Sequence, residues 1–97
     1  NWVRTDTPYV IEITDANDDG ALKAAYYNPR SINVARAEAR YTAGNLEVFV
    51  ELRDINYPGS TYTLTYDREN DILHGTYFQA TMQQTYDIAF TRQESNP

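Results

Sequence analysis

Hydrophobic and polar positions alternate with a period of two along most of the chain. Ile11 and Ile13 share one face, with Val10 and Glu12 on the other. Leu22, Ala24 and Tyr26 oppose Lys23 and Ala25, and Leu46, Val48, Val50 and Leu52 oppose Glu47, Phe49 and Glu51. Tyr62, Leu64 and Tyr66 oppose Thr61, Thr63 and Thr65, and Ile88 and Phe90 oppose Asp87 and Ala89. This period belongs to strands, whose side chains point alternately to opposite faces. It predicts seven strands, over Tyr9–Thr14, Ala21–Tyr27, Ile32–Tyr41, Leu46–Arg53, Ser60–Tyr66, Ile72–Gln79 and Tyr86–Arg92. A short strand near Trp2–Arg4 makes eight. Turn residues separate the runs, among them Asn28-Pro29, Ala43-Gly44-Asn45, Pro58-Gly59 and Asp67–Asp71.

One segment breaks the simple pattern. Ala35, Arg36, Ala37, Glu38, Ala39 and Arg40 are helix formers, yet small and charged residues alternate strictly among them, which is a strand period. Ile32 and Val34 share parity with the arginines rather than with the alanines. One face must therefore switch, and a bulge near Ala35 does this. With the alanines inward the wall is lined by small residues; with the arginines inward it offers an anion site. The parity conflict favours a bulged strand with a charged outer face.

Strands with one apolar face and short connections pair antiparallel with their neighbours in sequence. The expected fold is all-β, a single antiparallel up-and-down barrel of seven to eight strands, with a β-sandwich as the alternative. Residues 1–97 form one domain on this reading, with 1–8 and 93–97 less ordered. Ninety-seven residues suffice for one modest core.

Composition narrows function by exclusion. The net charge of −6 is the wrong sign for a nucleic-acid partner. No apolar run reaches membrane-spanning length, so no membrane insertion is expected. Without cysteine, disulfides, thiol catalysis and zinc-thiolate sites are excluded. The chain opens on Asn1 without a signal peptide, and reads as a mature fragment or an excised domain.

Candidate chemistry is sparse. Asp15-Ala16-Asn17-Asp18-Asp19-Gly20 fits the start of a calcium loop, D-x-[DN]-x-[DN]-G. The bidentate glutamate that should follow six residues after the glycine is replaced by Tyr26, and the flanks alternate like strands. The favoured reading is a hairpin turn in which Asp-Gly supplies left-handed backbone, with no metal and no cofactor. His74, the single histidine, is expected to face outward. Glu12, Glu47, Glu51 and Asp87 fall on the outer face and do not suggest an acid pair. The nine tyrosines offer more. Tyr26, Tyr62, Tyr66 and Tyr77 lie on inner faces, where a ring and a hydroxyl suit a ligand cavity. The same rings can simply fill a small barrel, which is the favoured reading: a mostly filled core with a shallow pocket at one mouth. Space could open at Ala24, at Gly75 or along the alanine wall. If Tyr62 acts only through its ring, Tyr62→Phe should cost little.

The first hairpin, an apolar strand, an acidic Asp-Gly turn and Leu22-Lys23-Ala24-Ala25-Tyr26, resembles that of the avidin and streptavidin family. Trp2 near the first strand and Arg92 late in the last are similar to a pair found in calycins, the superfamily of lipocalins and avidins. The resemblance implies that Arg92 packs across Trp2 at the closed end of the barrel. Avidin-like biotin sites are lined by several tryptophans, and Trp2 is alone here, so no biotin residue is assigned. The stretch from Tyr57 to Ala80 also resembles a domain of bacterial secreted or envelope proteins. That implies a secreted, periplasmic or envelope location, and nothing about chemistry.

The leading functional expectation is a non-catalytic binding or accessory domain contacting a small apolar or aromatic ligand, or a protein. The alternatives are a structural module with a filled core and no ligand, and a small enzyme using a cavity carboxylate with a tyrosine or His74.

Overall fold

The computed structural model describes residues 1–28 and 30–92; the expectation for 93–97 lies outside the described residues. The described residues form nine strands: β1 (Trp2–Arg4), β2 (Val10–Ala16), β3 (Leu22–Asn28), β4 (Arg30–Ile32), β5 (Val34–Thr42), β6 (Asn45–Asp54), β7 (Tyr57–Asp67), β8 (Ile72–Gln79) and β9 (Gln84–Arg92). They make one sheet in the order β4-β3-β2-β1-β9-β8-β7-β6-β5, antiparallel at every pairing. Each of β1–β8 except β4 pairs with its successor in sequence, and β1 pairs with β9, so the sheet is up-and-down and curls nearly to closure. No helix among the described residues is long and apolar enough to cross a membrane.

Closure depends on the segment that broke the sequence pattern. The expected strand over Ile32–Tyr41 starts earlier, at Arg30, and is divided at Asn33 into β4 and β5. β4 pairs with the end of β3, Tyr26 opposite Ile32. β5 pairs with β6, with a register shift between Val34 and Arg36. Ala35 is the extra residue of that bulge. The shift turns Ala37 inward, while Arg36, Glu38 and Arg40 stay exposed. The outer arginines are occupied: Arg36 lies 4.8 Å from the Phe49 ring centre, and Arg40 meets Glu47 at 3.1 Å.

The two ends of the sheet are stitched by a few backbone bonds. Ala39 N donates to Gly20 O at 2.7 Å, beside a lone bridge between Ala21 and Glu38. At the other end of the seam, Arg53 N donates to Asn33 O at 3.1 Å. Gly20 is needed twice over at this seam. Its φ is +93°, and a Cβ there would sit 2.5 Å from Ala39 O.

Inside, alternation delivers the expected face. Ile11, Tyr26, Ile32, Val48, Val50, Leu52, Tyr62, Leu64, Leu73, Ile88 and Phe90 are buried together. Burial of these side chains, at roughly 1.5–3 kcal/mol each, is the main favourable term. The interior is packed through its middle and opens at two ends. Among the described residues, one end carries the β1–β2, β6–β7 and β8–β9 connections, and the other carries Asn1 and the β2–β3, β5–β6 and β7–β8 turns.

Candidate ligand site at one barrel mouth

The site starts with the three residues of β1. Trp2 and Arg4 share the inner face of this strand. Trp2 is buried, and the Arg4 side chain is only 9% exposed. After Arg4 the chain leaves the sheet as the bend Thr5–Pro8, whose Asp6 and Thr7 line the mouth, held by Arg4 N donating to Tyr9 O and Thr5 N donating to Ala89 O.

Three tyrosines form the floor beneath the Arg4 guanidinium. Tyr62 and Tyr77 sit opposite each other in the β7–β8 register, ring centres 4.5 Å apart. Tyr26 approaches from β3, its ring centre 5.6 Å from that of Tyr62. Phe90 closes the floor at 5.2 Å from Tyr62. The Tyr26 and Tyr62 hydroxyls lie 2.9 Å apart, and Tyr62 Oη accepts a hydrogen bond from Arg4 Nη1 at 2.9 Å. The guanidinium carbon lies 5.3, 5.9 and 5.7 Å from the ring centres of Tyr9, Tyr62 and Tyr77. Arg4 thus sits among electron-rich ring faces as well as over a hydroxyl network.

The remaining edge of the fork is held by Asp6. Arg4 Nε donates to Asp6 Oδ1 at 2.9 Å and Nη2 to Oδ2 at 2.7 Å, a bidentate pair. Burial opposes the charge on Arg4, but hydrogen bonding to Asp6 and the contact with Tyr62 outweigh it and hold the group protonated. The bond from Arg4 holds the Asp6 carboxyl below its ordinary value. Desolvation pushes the Tyr62 hydroxyl up to about 12, despite relief from Tyr26 and Arg4, and raises Tyr26 and Tyr77 as well. All three hydroxyls are therefore neutral hydrogen-bonding groups at physiological pH.

Above this floor lies an open cleft of about 630 Å³, edged by Tyr57, Asn28, Asn56, Gln79 and Tyr86. Asn28 Nδ2 donates to Tyr57 Oη across the rim. Chemically, the mouth offers one fixed guanidinium, aromatic faces and neutral amides and hydroxyls. Asp6 is salt-bridged with a lowered pKa, which suits it poorly as a general base.

The opposite end holds the other candidates. The Arg92 guanidinium carbon lies 4.6 Å from the Trp2 ring centre. Arg92 Nε and Nη2 donate to Asp71 at 2.8 and 3.1 Å, and Tyr66 Oη donates to the same carboxylate at 2.7 Å. Arg92 accordingly holds the Asp71 carboxyl below its ordinary value, and the bond to Asp71 raises that of the Tyr66 hydroxyl. Replacing Arg92 with Gln should uncover one face of the single tryptophan. The expected result is a red-shifted Trp2 emission with a loss of about 1 kcal/mol; unchanged emission would show that the stack does not shield the indole.

Of the four tyrosines singled out from sequence, the structure brings Tyr26, Tyr62 and Tyr77 together and places Tyr66 at the far end, its ring edge against Trp2. Sequence reasoning missed Arg4, Asp6, Tyr9, Tyr57 and Asn28. A signal for Arg4 was present: carried through the short first strand, the alternation puts it on the same face as Trp2.

The acidic loop is a hairpin turn. Asn17 N donates to Ala21 O and Gly20 N to Asn17 O, while the Asp15 and Asp19 carboxylates accept from Ala16 N and Ala21 N. Among the described residues no three acidic or histidine side chains gather so as to hold a metal ion. His74 is exposed on β8, opposite Thr65 and Ala89. Glu47 and Glu51 are engaged by Arg40 and Arg53 on the outer face.

No protein-family model, no curated protein and no solved structure matches the chain.

Proposed function

We propose that this chain is a non-catalytic binding domain, a calycin-like small barrel carried by an exported bacterial protein, that takes a small ring-bearing ligand at the Arg4 mouth. One observation carries the reading. A guanidinium with a nearly buried side chain sits beneath an open cleft, surrounded by tyrosine rings. An ion pair whose carboxylate is half exposed adds little to fold stability, because water screens the attraction while burying the guanidinium still costs desolvation. Set at a mouth, the same group supplies a rigid polar anchor beside apolar faces, the usual composition of a small-molecule site. The cleft lies within the size range of such sites. The exported setting rests on the sequence resemblance alone, as does the calycin kinship beyond the barrel itself.

Phenol serves as the first probe, titrated to millimolar concentration and followed by amide and side-chain nitrogen NMR. Shifts are expected at Arg4 Nε–H and at the Asn28 and Gln79 side-chain amides, with Arg92 undisturbed. Shifts confined to the Trp2–Arg92 end, or none, would overturn the reading.

A second reading has its own observation. Ile55 and Met82, at the tips of the β6–β7 and β8–β9 turns beside this mouth, are 75% and 61% exposed. Such side chains on one rim suit contact with a protein. Under that reading they lose exposure on binding while the cleft behind them stays solvated.

A further inference from the structure

The geometry points to a carboxylate-bearing aromatic compound as the ligand of the mouth, with Asp6 as an internal carboxylate that holds the ligand's place on Arg4. The inference rests on the mouth-binding reading above and specifies its chemistry.

The two members of the pair are differently placed. Arg4 is 9% exposed and Asp6 54%. Arg4 belongs to β1 and is fixed by Tyr62 below it. Asp6 belongs to Thr5–Pro8, a bend outside the sheet that is anchored at its two ends. Arg4 is thus the fixed partner and Asp6 the one free to swing into water. The Thr7 hydroxyl, which lines the same cleft, is buried beside the Asp6 carboxylate without a well-formed hydrogen bond. It is a donor already placed where a carboxylate sits.

Charge selects the ligand class. A guanidinium with so little exposed side chain needs a counter-charge, since desolvation penalises an unpaired charge. A neutral ligand that displaced Asp6 would leave it bare, and a cationic one would add a second positive charge. An incoming carboxylate takes over both fork bonds, so the counter-charge is never lost, and Asp6 goes to solvent where an exposed carboxylate is at little cost. The rings select the remainder. Tyr9, Tyr62 and Tyr77 each lie within 6 Å of the Arg4 carbon, so a group held by the fork carries its body against aromatic faces.

An internal competitor lowers apparent affinity by the fraction of time the fork is free, and removing it restores the intrinsic value. The test uses benzoate and phenol against wild type, Asp6→Asn, Asp6→Ser and Arg4→Met, with binding read by NMR shifts at the mouth. Asp6→Asn is expected to tighten benzoate on the order of tenfold and to leave phenol unchanged. Arg4→Met should abolish benzoate binding. Both Asp6 variants lose the counter-charge, so benzoate should also raise their melting temperatures more than that of the wild type, a readout that holds if either variant is only marginally folded. Phenol binding at the mouth with benzoate no tighter in the Asp6 variants overturns the displacement and leaves the binding site standing. Failure of both probes to shift the mouth in any variant overturns both readings.

Discussion

Tyr62→Ala is expected to destabilise the protein by about 3–5 kcal/mol, the range for truncating a large buried aromatic. Tyr62 is fully buried at the centre of the barrel, and its ring meets those of Tyr26, Tyr77 and Phe90. No neighbouring ring can move in without leaving its own place, so the cavity stays open. For a domain of this size each kcal/mol lowers the melting temperature by about 4–8 °C, so the variant should lose tens of degrees or fail to fold. The more discriminating variant is Tyr62→Phe. Judged from its ring alone, this change should be nearly silent. The hydroxyl, however, accepts from Arg4 Nη1 and meets the Tyr26 hydroxyl. Removing it strands a buried guanidinium N–H and leaves Tyr26 a partner short, at a cost of about 1–3 kcal/mol. Urea unfolding of the two variants beside wild type reads both effects. If Tyr62→Phe matches wild type, the hydroxyl network carries no stability. If Tyr62→Ala matches it, Tyr62 is not core.

Gly75→Ala should be nearly as severe, for a reason that sequence did not disclose. From sequence, Gly75 was a place where space could open inside the barrel. Instead the backbone of β7 fills it. A Cβ on Gly75 would lie 2.0 Å from Thr63 O and 3.0 Å from Leu64 Cα. Gly75 pairs with Leu64 on one side and Ile88 on the other, so neither neighbouring strand can retreat without disturbing the core. The expected loss is about 3 kcal/mol or more, at or above the upper end for overpacking. Gly44→Ala is the control. Its φ is +81°, but nothing lies within 4 Å of the added atom, so only backbone strain of about 1 kcal/mol remains. Equal losses in the two variants would show that the close approach at Gly75 does not govern its stability.

How far the sequence reached follows from what each signal depends on. Alternation is local, and it assigned the inner faces of β2, β3, β6, β7 and β9 correctly. The bulge at Ala35 was legible because two incompatible parities met within one run, and only an inserted residue reconciles them. The division of that run at Asn33 was not legible. It arises where the strand leaves β3 for β6, and no residue pattern marks the exchange of partners.

The candidate site was half legible. Tyr62 and Tyr66 share a face, yet at the rise of a strand four residues separate them by ~13 Å, enough to send one to each end of a small barrel. Parity alone grouped them; the strand rise would have separated them. Arg4 lay within reach of the alternation but in a run too short to count, and only the pairing of β1 with both β2 and β9 makes it a wall strand.

Alone, then, the sequence determined the all-β class, the up-and-down order and which side chains face inward, because these follow from a two-residue period and short connections. Tertiary structure decided which inward residues meet at which mouth, that Gly75 admits a neighbouring backbone, and that Arg4 is buried against Asp6 over three tyrosines. Those outcomes depend on register, tilt and the seam at Gly20 and Asn33. They are set by hydrogen bonds between segments far apart in the chain, which no local pattern records.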